Sequence, residues 1–436
     1  MSADQIITLA VLAAVVAALI WDKIRADVIA LAGAAVLLVS GVVRPSEVQS
    51  AFASPALVAL ASLFVIVYAI ELSGLLDRLI VLAVGLCRRI GVLGLWITIA
   101  LCGAASAFLN NTPIVVLAAP VIRDAAEKLQ LRPKRFLIPL SYISILGGCC
   151  TLIGTSTNLL VADMARVSGQ PSFNIFEVTP VGLCVALAGG LYLLLFAGPL
   201  LDRTVAGDGS KPAPAARIAR DMTGAQVGAP ELFVPHEALD VRRALISVAV
   251  FVGVIVAAAA NLAPIAATAL AGAVLLILLR VISADQAYSG LRPEILLLIA
   301  GMVVLGIALE ESGLAAATIE RLIDTIEPLG PFWALAIFYG ATLFLTEILS
   351  NATVAVLFAP IAVALAESLG VSPRPFLIAV MMAASAAFAT PFGYQTNVLV
   401  YQLGGYSYFD FVRVGLPMNV VTWIAGLLAI RFFFPF

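Results

Sequence analysis

The sequence predicts an all-α polytopic membrane protein built from two inverted-topology repeats, each with five transmembrane helices and one re-entrant hairpin. Composition, a series of apolar stretches of spanning length, and polar motifs that recur between the two halves predict it. Hydrophobic residues make up 62% of the 436 residues and charged residues 11%, against roughly 45–50% and about 25% in a soluble domain. Mean hydropathy is +1.11. So few charges cannot coat a soluble surface of this size. That excludes a soluble enzyme, a secreted disulfide scaffold and a nucleic-acid binder. The net charge of −2 gives no general attraction to polyanions.

A helix needs about 20 mostly apolar residues to cross a bilayer. The first such stretch is 5–21. Ser2, Ala3 and Asp4 ahead of it lack the basic lead of a cleaved signal peptide, so a retained helix is expected. Further spans are expected at 26–43, 54–72, 136–153 and 179–200. Between the third and fourth, an apolar stretch over 92–122 is interrupted by Asn110, Asn111, Thr112 and Pro113. Two short arms around a polar tip predict a re-entrant hairpin, because backbone at mid-membrane depth is tolerated only where it lines a cavity or is buried in protein. Residues 201–242, rich in Gly, Pro and charge, read as a linker. Spans resume at 244–260, 264–281, 293–309, 375–392 and 414–433, and a second interrupted stretch, 331–366, breaks at Ser350–Asn351. The expected organisation is repeat 1 over 1–200, a linker over 201–242 and repeat 2 over 243–436.

The halves match residue by residue. At an offset of 240, Ser106 faces Thr346, Asn110 faces Ser350, Asn111 faces Asn351, and Phe136-Leu137-Ile138 faces Phe376-Leu377-Ile378. At 239, Thr151, Gly154 and Asn158 face Thr390, Gly393 and Asn397, and Glu71-Leu72-Ser73-Gly74 echoes Glu310-Glu311-Ser312-Gly313. Such self-similarity marks an internal repeat. Five spans plus a hairpin that returns to its own side make each half odd, so the second half enters from the opposite face. Repeats inverted in this way are an architecture of secondary transporters.

Charge orients the chain. Most of the 24 Lys and Arg, among them Lys23, Arg25, Arg88, Arg89, Arg132, Lys134, Arg135 and Arg292, fall on one face. Arg44, Arg166, Arg321, Arg374 and Arg431 fall on the other. The richer face is expected to be cytoplasmic. Both termini then lie outside, the linker is cytoplasmic, the first hairpin enters from the cytoplasm and the second from outside. A bacterial inner membrane is the expected location.

Little of the chain suits metal or nucleophilic chemistry. His236, the sole histidine, sits in the linker, and Cys87, Cys102, Cys149, Cys150 and Cys184 lack metal-ligand spacing. They read as small buried hydrophobes. No general base stands beside a nucleophile, so no enzyme and no cofactor are expected.

The midplane polar residues suit ion transport instead. No Lys or Arg is placed there to neutralise an anion. A hairpin's second arm, however, begins as a helix whose free N–H groups carry partial positive charge. Two such N-termini, from Asn111 and Asn351 onward, make an anion cradle, finished by Asn110, Thr112 and Ser350. The clusters Thr151–Asn158 and Thr390–Asn397 look like helices broken mid-span, and broken helices expose carbonyls to Na⁺. Thr155, Thr390 and Pro391 join the substrate candidates. The sodium candidates are Ser106, Asn111, Gly154 and Asn158, and at the repeated positions Thr346, Asn351, Gly393 and Asn397. Glu347, an ionisable residue at this depth, is either a proton or coupling site or a fixed partner of backbone donors. Gly147 and Gly148 are expected to let helices approach closely. Asp163, Asp410 and Tyr406 read as loop residues without a role.

With these motifs the chain resembles the divalent anion:sodium symporters of the ion transporter superfamily, which include sodium:sulfate and dicarboxylate carriers. The resemblance rests on Leu109-Asn-Asn-Thr-Pro113, Ile153-Gly-Thr-Ser-Thr-Asn158, Leu345-Thr-Glu-Ile-Leu-Ser-Asn-Ala352, Ala389-Thr-Pro-Phe-Gly-Tyr-Gln-Thr-Asn397 and Tyr401-Gln-Leu-Gly-Gly-Tyr406. It covers nearly all of the chain except 202–242. The family pattern is a Ser-Asn-Thr triplet at each tip; here the tips are Asn110-Asn111-Thr112 and Ser350-Asn351-Ala352. The lost hydroxyl favours a compact tetrahedral oxyanion, sulfate, over a C4-dicarboxylate. The resemblance implies Na⁺ as coupling ion, a homodimer, and elevator-type motion of hairpins and broken helices against a scaffold. A sodium/proton antiporter or an oxyanion efflux permease of the same superfamily is the alternative.

Overall fold

The structure, a computed structural model, describes residues 2–21, 24–75, 78, 90–202, 239–260, 262–314 and 330–436. These residues form helices and connecting turns, with no strand among them. Cys87, His236, Lys23, Arg88, Arg89, Arg321 and 203–238 of the expected linker lie outside the described residues.

The first half opens with α1 (Ala3–Trp21), α2 (Ala26–Val39), the short α3 (Pro45–Phe52) and α4 (Pro55–Glu71). Both α3 and α4 start on a proline, whose fixed φ suits the first helical turn and whose missing N–H needs no partner there. Ser54 caps α4 by accepting from the Leu57 N–H at 3.3 Å. Then come α5 (Val92–Ser106), α6 (Asn111–Lys128), α7 (Lys134–Gly148), α8 (Ser156–Val167) and α9 (Thr179–Tyr192). The last runs on through a π-helical turn (Leu193–Ala197) to Asp202.

The second half holds α10 (Val241–Ala259), α11 (Ile265–Leu278), the short α12 (Ala284–Gly290), α13 (Pro293–Glu311), α14 (Gly330–Thr346), α15 (Asn351–Ser368), α16 (Arg374–Ala384), α17 (Gln395–Gly404) and α18 (Tyr408–Phe433). Asp240 caps α10 through the Arg243 N–H at 3.0 Å, and its own N–H reaches the Ser73 carbonyl at 3.0 Å. The segment entering the second half is thereby tied to the end of α4. Six described stretches are long and apolar enough to cross a membrane: Pro45–Glu71, Thr179–Leu201, Val241–Ala259, Pro293–Glu311, Asn351–Ser368 and Tyr408–Phe433.

Helix partners recur between the halves. The second helix of each half packs on a later helix of the other: α2 on α13, and α11 on α4. Likewise α5 lies along α7 as α14 lies along α16, and α6 rests on α17 as α15 rests on α8. The last helices, α9 and α18, pack on each other. Charge follows the same rule. Lys134 at the start of α7 reaches Asp410 at 3.7 Å, and Arg374 at the start of α16 reaches Glu177 at 3.0 Å while lying over the Phe173 ring.

Several expected boundaries shift. The 136–153 stretch is helical only to Gly148, and the 375–392 stretch only to Ala384; irregular backbone follows in each. The last helix begins at Tyr408 rather than 414. Asp163, Asp410 and Tyr406 are not idle loop residues. Asp163 lies inside α8 and pairs with Arg166 at 3.1 Å. Asp410, in the first turn of α18, accepts from the Ser407 N–H at 2.9 Å. Tyr406 is buried, accepts from the Ile138 N–H at 3.1 Å and donates to the Lys134 carbonyl.

Gly147 permits the close approach of α5 and α7. A methyl group there would sit 1.9 Å from the Gly103 carbonyl oxygen, inside any tolerable contact. Gly147→Ala is expected to push the pair apart and cost about 1–3 kcal/mol, the usual penalty of overpacking. Gly190→Ala, with nothing within 4 Å of the added carbon, is the control. Thermal unfolding in detergent should show a lower midpoint for the first and an unmoved one for the second; equal midpoints would refute the tight contact.

Candidate functional site

The polar tips form where two apolar helices stop short of one another. α5 ends at Ser106 and α6 starts at Asn111, with Asn110 as the capping residue: its side chain accepts from the Thr112 N–H at 3.2 Å. In the second half α14 ends at Thr346 and α15 starts at Asn351, with Ser350 accepting from the Thr353 N–H at 3.2 Å. Such caps satisfy one N–H of the first turn and leave others free.

Behind each tip the same bond occurs. Ser106 donates to the Asn111 side-chain oxygen, and Thr346 donates to that of Asn351 at 3.0 Å. Thr346 also lies 2.9 Å from the Ala384 carbonyl. The irregular segments after α7 and α16 are folded by identical clasps. Gly154 donates its N–H to the Thr151 hydroxyl at 3.1 Å, and Gly393 to the Thr390 hydroxyl at 3.2 Å. Asn158 donates to the Thr151 carbonyl at 2.9 Å; Asn397 donates to the Ala387 and Thr390 carbonyls at 2.8 and 3.4 Å.

The first tip and the first broken segment meet over Gly148. A methyl on Gly148 would lie 2.7 Å from the Asn111 Oδ1 and 3.2 Å from the Gly154 carbonyl oxygen. One on Gly154 would lie 2.5 Å from the Gly148 carbonyl oxygen and 2.7 Å from that of Ala107. The Asn111 side chain and the carbonyls of Ala107, Gly148 and Gly154 thus lie around the two glycines, with Ser106 bonded to Asn111, and these neutral oxygens are of the kind that suits a hard cation. Sequence reasoning read Gly148 only as a close-packing glycine and missed the Ala107 carbonyl, which receives the Thr151 hydroxyl.

Glu347 takes a different place from a free midplane acid. Its Oε1 accepts from the Phe388 N–H at 2.9 Å, the Ala389 N–H at 2.7 Å and the Asn419 amide at 2.7 Å; its Oε2 accepts from the Thr390 N–H at 2.9 Å. All four partners donate, so the carboxylate holds the irregular segment before Gly393 in shape. Its counterpart at the offset of 240 is Ala107.

The halves are joined at the centre by Tyr394. Its hydroxyl accepts from the Asn111 amide at 2.9 Å and lies 3.4 Å from the Thr155 hydroxyl. Beside it, Thr112 donates to the Gln395 side-chain oxygen at 3.2 Å. Ser141 of α7 bonds Thr396 and Asn397 at 2.8 and 2.7 Å. Nothing in the polarity pattern marks Ser141. Tyr394 was legible in principle, since it stands at the offset of 239 from Thr155.

A cavity of about 60 Å³ is bounded by Asn110, Gly154, Thr155, Ser156 and Tyr394 on one side and by Leu60, Leu63, Phe64 and Val67 of α4 on the other. Its lining contains no Lys or Arg. Drug-sized ligands occupy roughly 300–1,000 Å³, so this space suits a small ion. A wider cavity of about 490 Å³, lined by Pro55, Ala59, Leu152, Asp163 and Arg166, also borders α4. Ser350 is exposed, whereas Asn111 is buried.

Comparison with known proteins places these features in a family. The model of the citrate transporter family matches residues 16–371 and 348–436. An uncharacterized transporter of Synechocystis is 28% identical over 97% of this chain and 96% of its own. That alignment runs to 594 positions, more than the chain's 436 residues, so the relative carries segments this protein does not. Sodium/sulfate cotransporter 1 of Chlamydomonas reinhardtii is 38% identical over 27% of this chain and 13% of its own. A sodium-dependent dicarboxylate transporter of Staphylococcus saprophyticus is 32% identical over 32% and 27%.

Proposed function

From a chain that belongs to the citrate transporter family, and so to the divalent anion:sodium symporters of the ion transporter superfamily, we propose sodium-coupled symport of a small divalent anion, sulfate in preference to a C4-dicarboxylate. The protein is an integral membrane transporter and not an enzyme, as its family and relatives are. The observation that carries the finer reading is the paired tip. A hydroxyl, an asparagine and a fresh helix N-terminus stand together at Ser106–Asn111 and again at Thr346–Asn351. Each tip offers oxygens to Na⁺ on one side and N–H groups to an anion on the other.

In this reading Na⁺ is held by Ser106, Asn111, Asn158 and the Gly154 carbonyl, and by Thr346, Asn351, Asn397 and the Gly393 carbonyl. The anion lies among Asn110, Asn111, Thr112, Thr155, Ser350, Asn351, Thr390 and Pro391. The named sodium/sulfate and dicarboxylate relatives support the ion pair. The confined space at Asn110 and Thr155 supports the smaller anion.

The recurrent helix pairing supports two inverted repeats, over 1–200 and 243–436, joined by a cytoplasmic linker, with α5–α6 and α14–α15 as hairpins. It also supports an elevator. The helices α2, α4, α10, α11 and α13 pack largely among themselves as a scaffold, and the tip-bearing helices pack around α7 and α16. A homodimer in a bacterial inner membrane, both termini outside, completes the proposal. The rival exchange of sodium for protons through Glu347 has less support, because both of that residue's oxygens are engaged by N–H donors.

The test is labelled sulfate uptake into proteoliposomes with and without an inward Na⁺ gradient, with unlabelled succinate and citrate as competitors. Sodium-dependent uptake resistant to both competitors is the expected result. Sodium-dependent succinate flux without sulfate flux would replace the substrate and keep the mechanism. Movement of neither anion, with proton movement on Na⁺ addition, would overturn the symport reading.

A further inference from the structure

Thr155 and Tyr394 occupy equivalent places, 239 residues apart. Each is the residue on which its helix restarts after the break. Their backbones agree closely, with φ −138° and ψ 142° at Thr155 and φ −145° and ψ 141° at Tyr394. Neither side chain caps its own helix. Instead the two side chains meet each other, hydroxyl to hydroxyl, at 3.4 Å. One repeat therefore places a small hydroxyl at this central position, and the other a phenol ring.

The polarity of the Tyr394 bonds is informative. Asn111 donates its amide to the phenol oxygen at 2.9 Å, so the phenol acts there as acceptor. Its own proton remains available. Thr155 at 3.4 Å is beyond the usual 2.5–3.0 Å of an O–H···O bond. The same phenol borders the cavity of about 60 Å³ together with Asn110 and Thr155. Meanwhile the second tip carries Ala352 where the first carries Thr112, and the hydroxyl it does have, that of Ser350, is engaged by Thr353.

We infer that Tyr394 is the specificity-determining residue of this site: its hydroxyl, held by Asn111, donates to a bound oxyanion, and its ring fills the room a second carboxylate would need. A neutral phenol is a good donor to an anion. It replaces the donor lost at Ala352 and excludes longer substrates by bulk. The inference rests on the reading of the tips as an anion site and adds the group that selects among anions.

The experiment measures the ratio of the succinate inhibition constant to the sulfate KM in proteoliposomes, a quantity insensitive to how much protein is active. Tyr394→Thr copies the residue that the same backbone carries at Thr155, so the segment can accept it. In that variant the ratio is expected to fall at least about tenfold. Tyr394→Phe keeps the ring and loses the donor. Its sulfate KM is expected to rise about tenfold, the scale of one hydrogen bond to a charged group, while succinate stays a poor competitor. An unmoved ratio in Tyr394→Thr, alongside normal wild-type sulfate flux, overturns the inference and leaves the symport reading intact. If Tyr394→Thr does not transport, Tyr394→Phe decides, and an unchanged sulfate KM there overturns it. A wild type that moves succinate as readily as sulfate overturns it too, with sodium-coupled symport still standing. A wild type that moves neither overturns both.

Discussion

Asn111→Ala is expected to abolish sodium-driven uptake at ordinary Na⁺ concentrations. The Asn111 side chain is buried and stands at the crossing of two bonds, accepting from Ser106 and donating to Tyr394. Its removal takes away a proposed sodium ligand and strips partners from two side chains in the protein interior. Loss of a polar partner of a charged group is worth about 1.5–3 kcal/mol, roughly tenfold to a hundredfold in affinity, and the two stranded groups destabilise the fold besides. Asn351→Ala should cost less, about tenfold, because Thr346 keeps the Ala384 carbonyl as a second partner. The measurement is the Na⁺ concentration for half-maximal flux, taken with the sulfate KM. Both should rise in both variants, more steeply for Asn111→Ala. Wild-type sodium dependence in either would end the idea that one tip serves both ions.

The second large effect concerns Glu347. Glu347→Ala leaves three backbone N–H groups of Phe388, Ala389 and Thr390 without their acceptor, together with the Asn419 amide. The expected destabilisation is at least about 3 kcal/mol, with loss of sodium-driven flux as the segment before Gly393 loosens. Glu347→Gln should be milder. The retained carbonyl can still take the three donors at Oε1, and only the Thr390 N–H then faces an amide NH₂. Unfolding midpoints in detergent, compared with flux at two pH values, separate a fixed acceptor from a proton carrier. A fixed acceptor predicts Ala far worse than Gln and no new pH dependence in Gln. Equal and complete loss in both, with pH-driven flux in the wild type, would assign the proton to Glu347.

Much of the architecture was readable because polar residues are conspicuous in an apolar chain. Asn110–Thr112 and Ser350–Asn351 stand out for that reason, and the offsets of 240 and 239 tied them into pairs. That both helices break was readable from Thr151–Asn158 and Thr390–Asn397, but the ends of α7 and α16, three and six residues earlier, were not. Apolar residues continue through Cys149–Cys150 and through Ala386–Ala389, yet the backbone leaves the helix at Gly148 and Ala384. What ends these helices is tertiary: Thr151 bonds the Ala107 carbonyl, and Glu347 gathers the N–H groups of 388–390. Tyr406 and Asp410 were misjudged because Gly404, Gly405 and Ser407 resemble a plain turn. Gly405 does turn the chain, with φ at +59°, but the residues around it are anchored to α7. Such an anchor, spanning more than 250 residues of sequence, has no local signature.

The anchors of α7 and α9 to the C-terminal part of the chain also set a timetable for biosynthesis. Tyr142 donates to the Phe388 carbonyl, Tyr192 to that of Val414 at 2.9 Å, and Ser141 meets Asn397 at 2.7 Å. At roughly 5–20 residues per second, a ribosome that has just made Tyr142 needs roughly 10–50 s to reach its partner. Throughout that interval the early helices reside in the bilayer with hydroxyls awaiting acceptors that do not yet exist. The first half is therefore not a finished folding unit when it leaves the ribosome, and its native contacts are completed only when the last helix arrives.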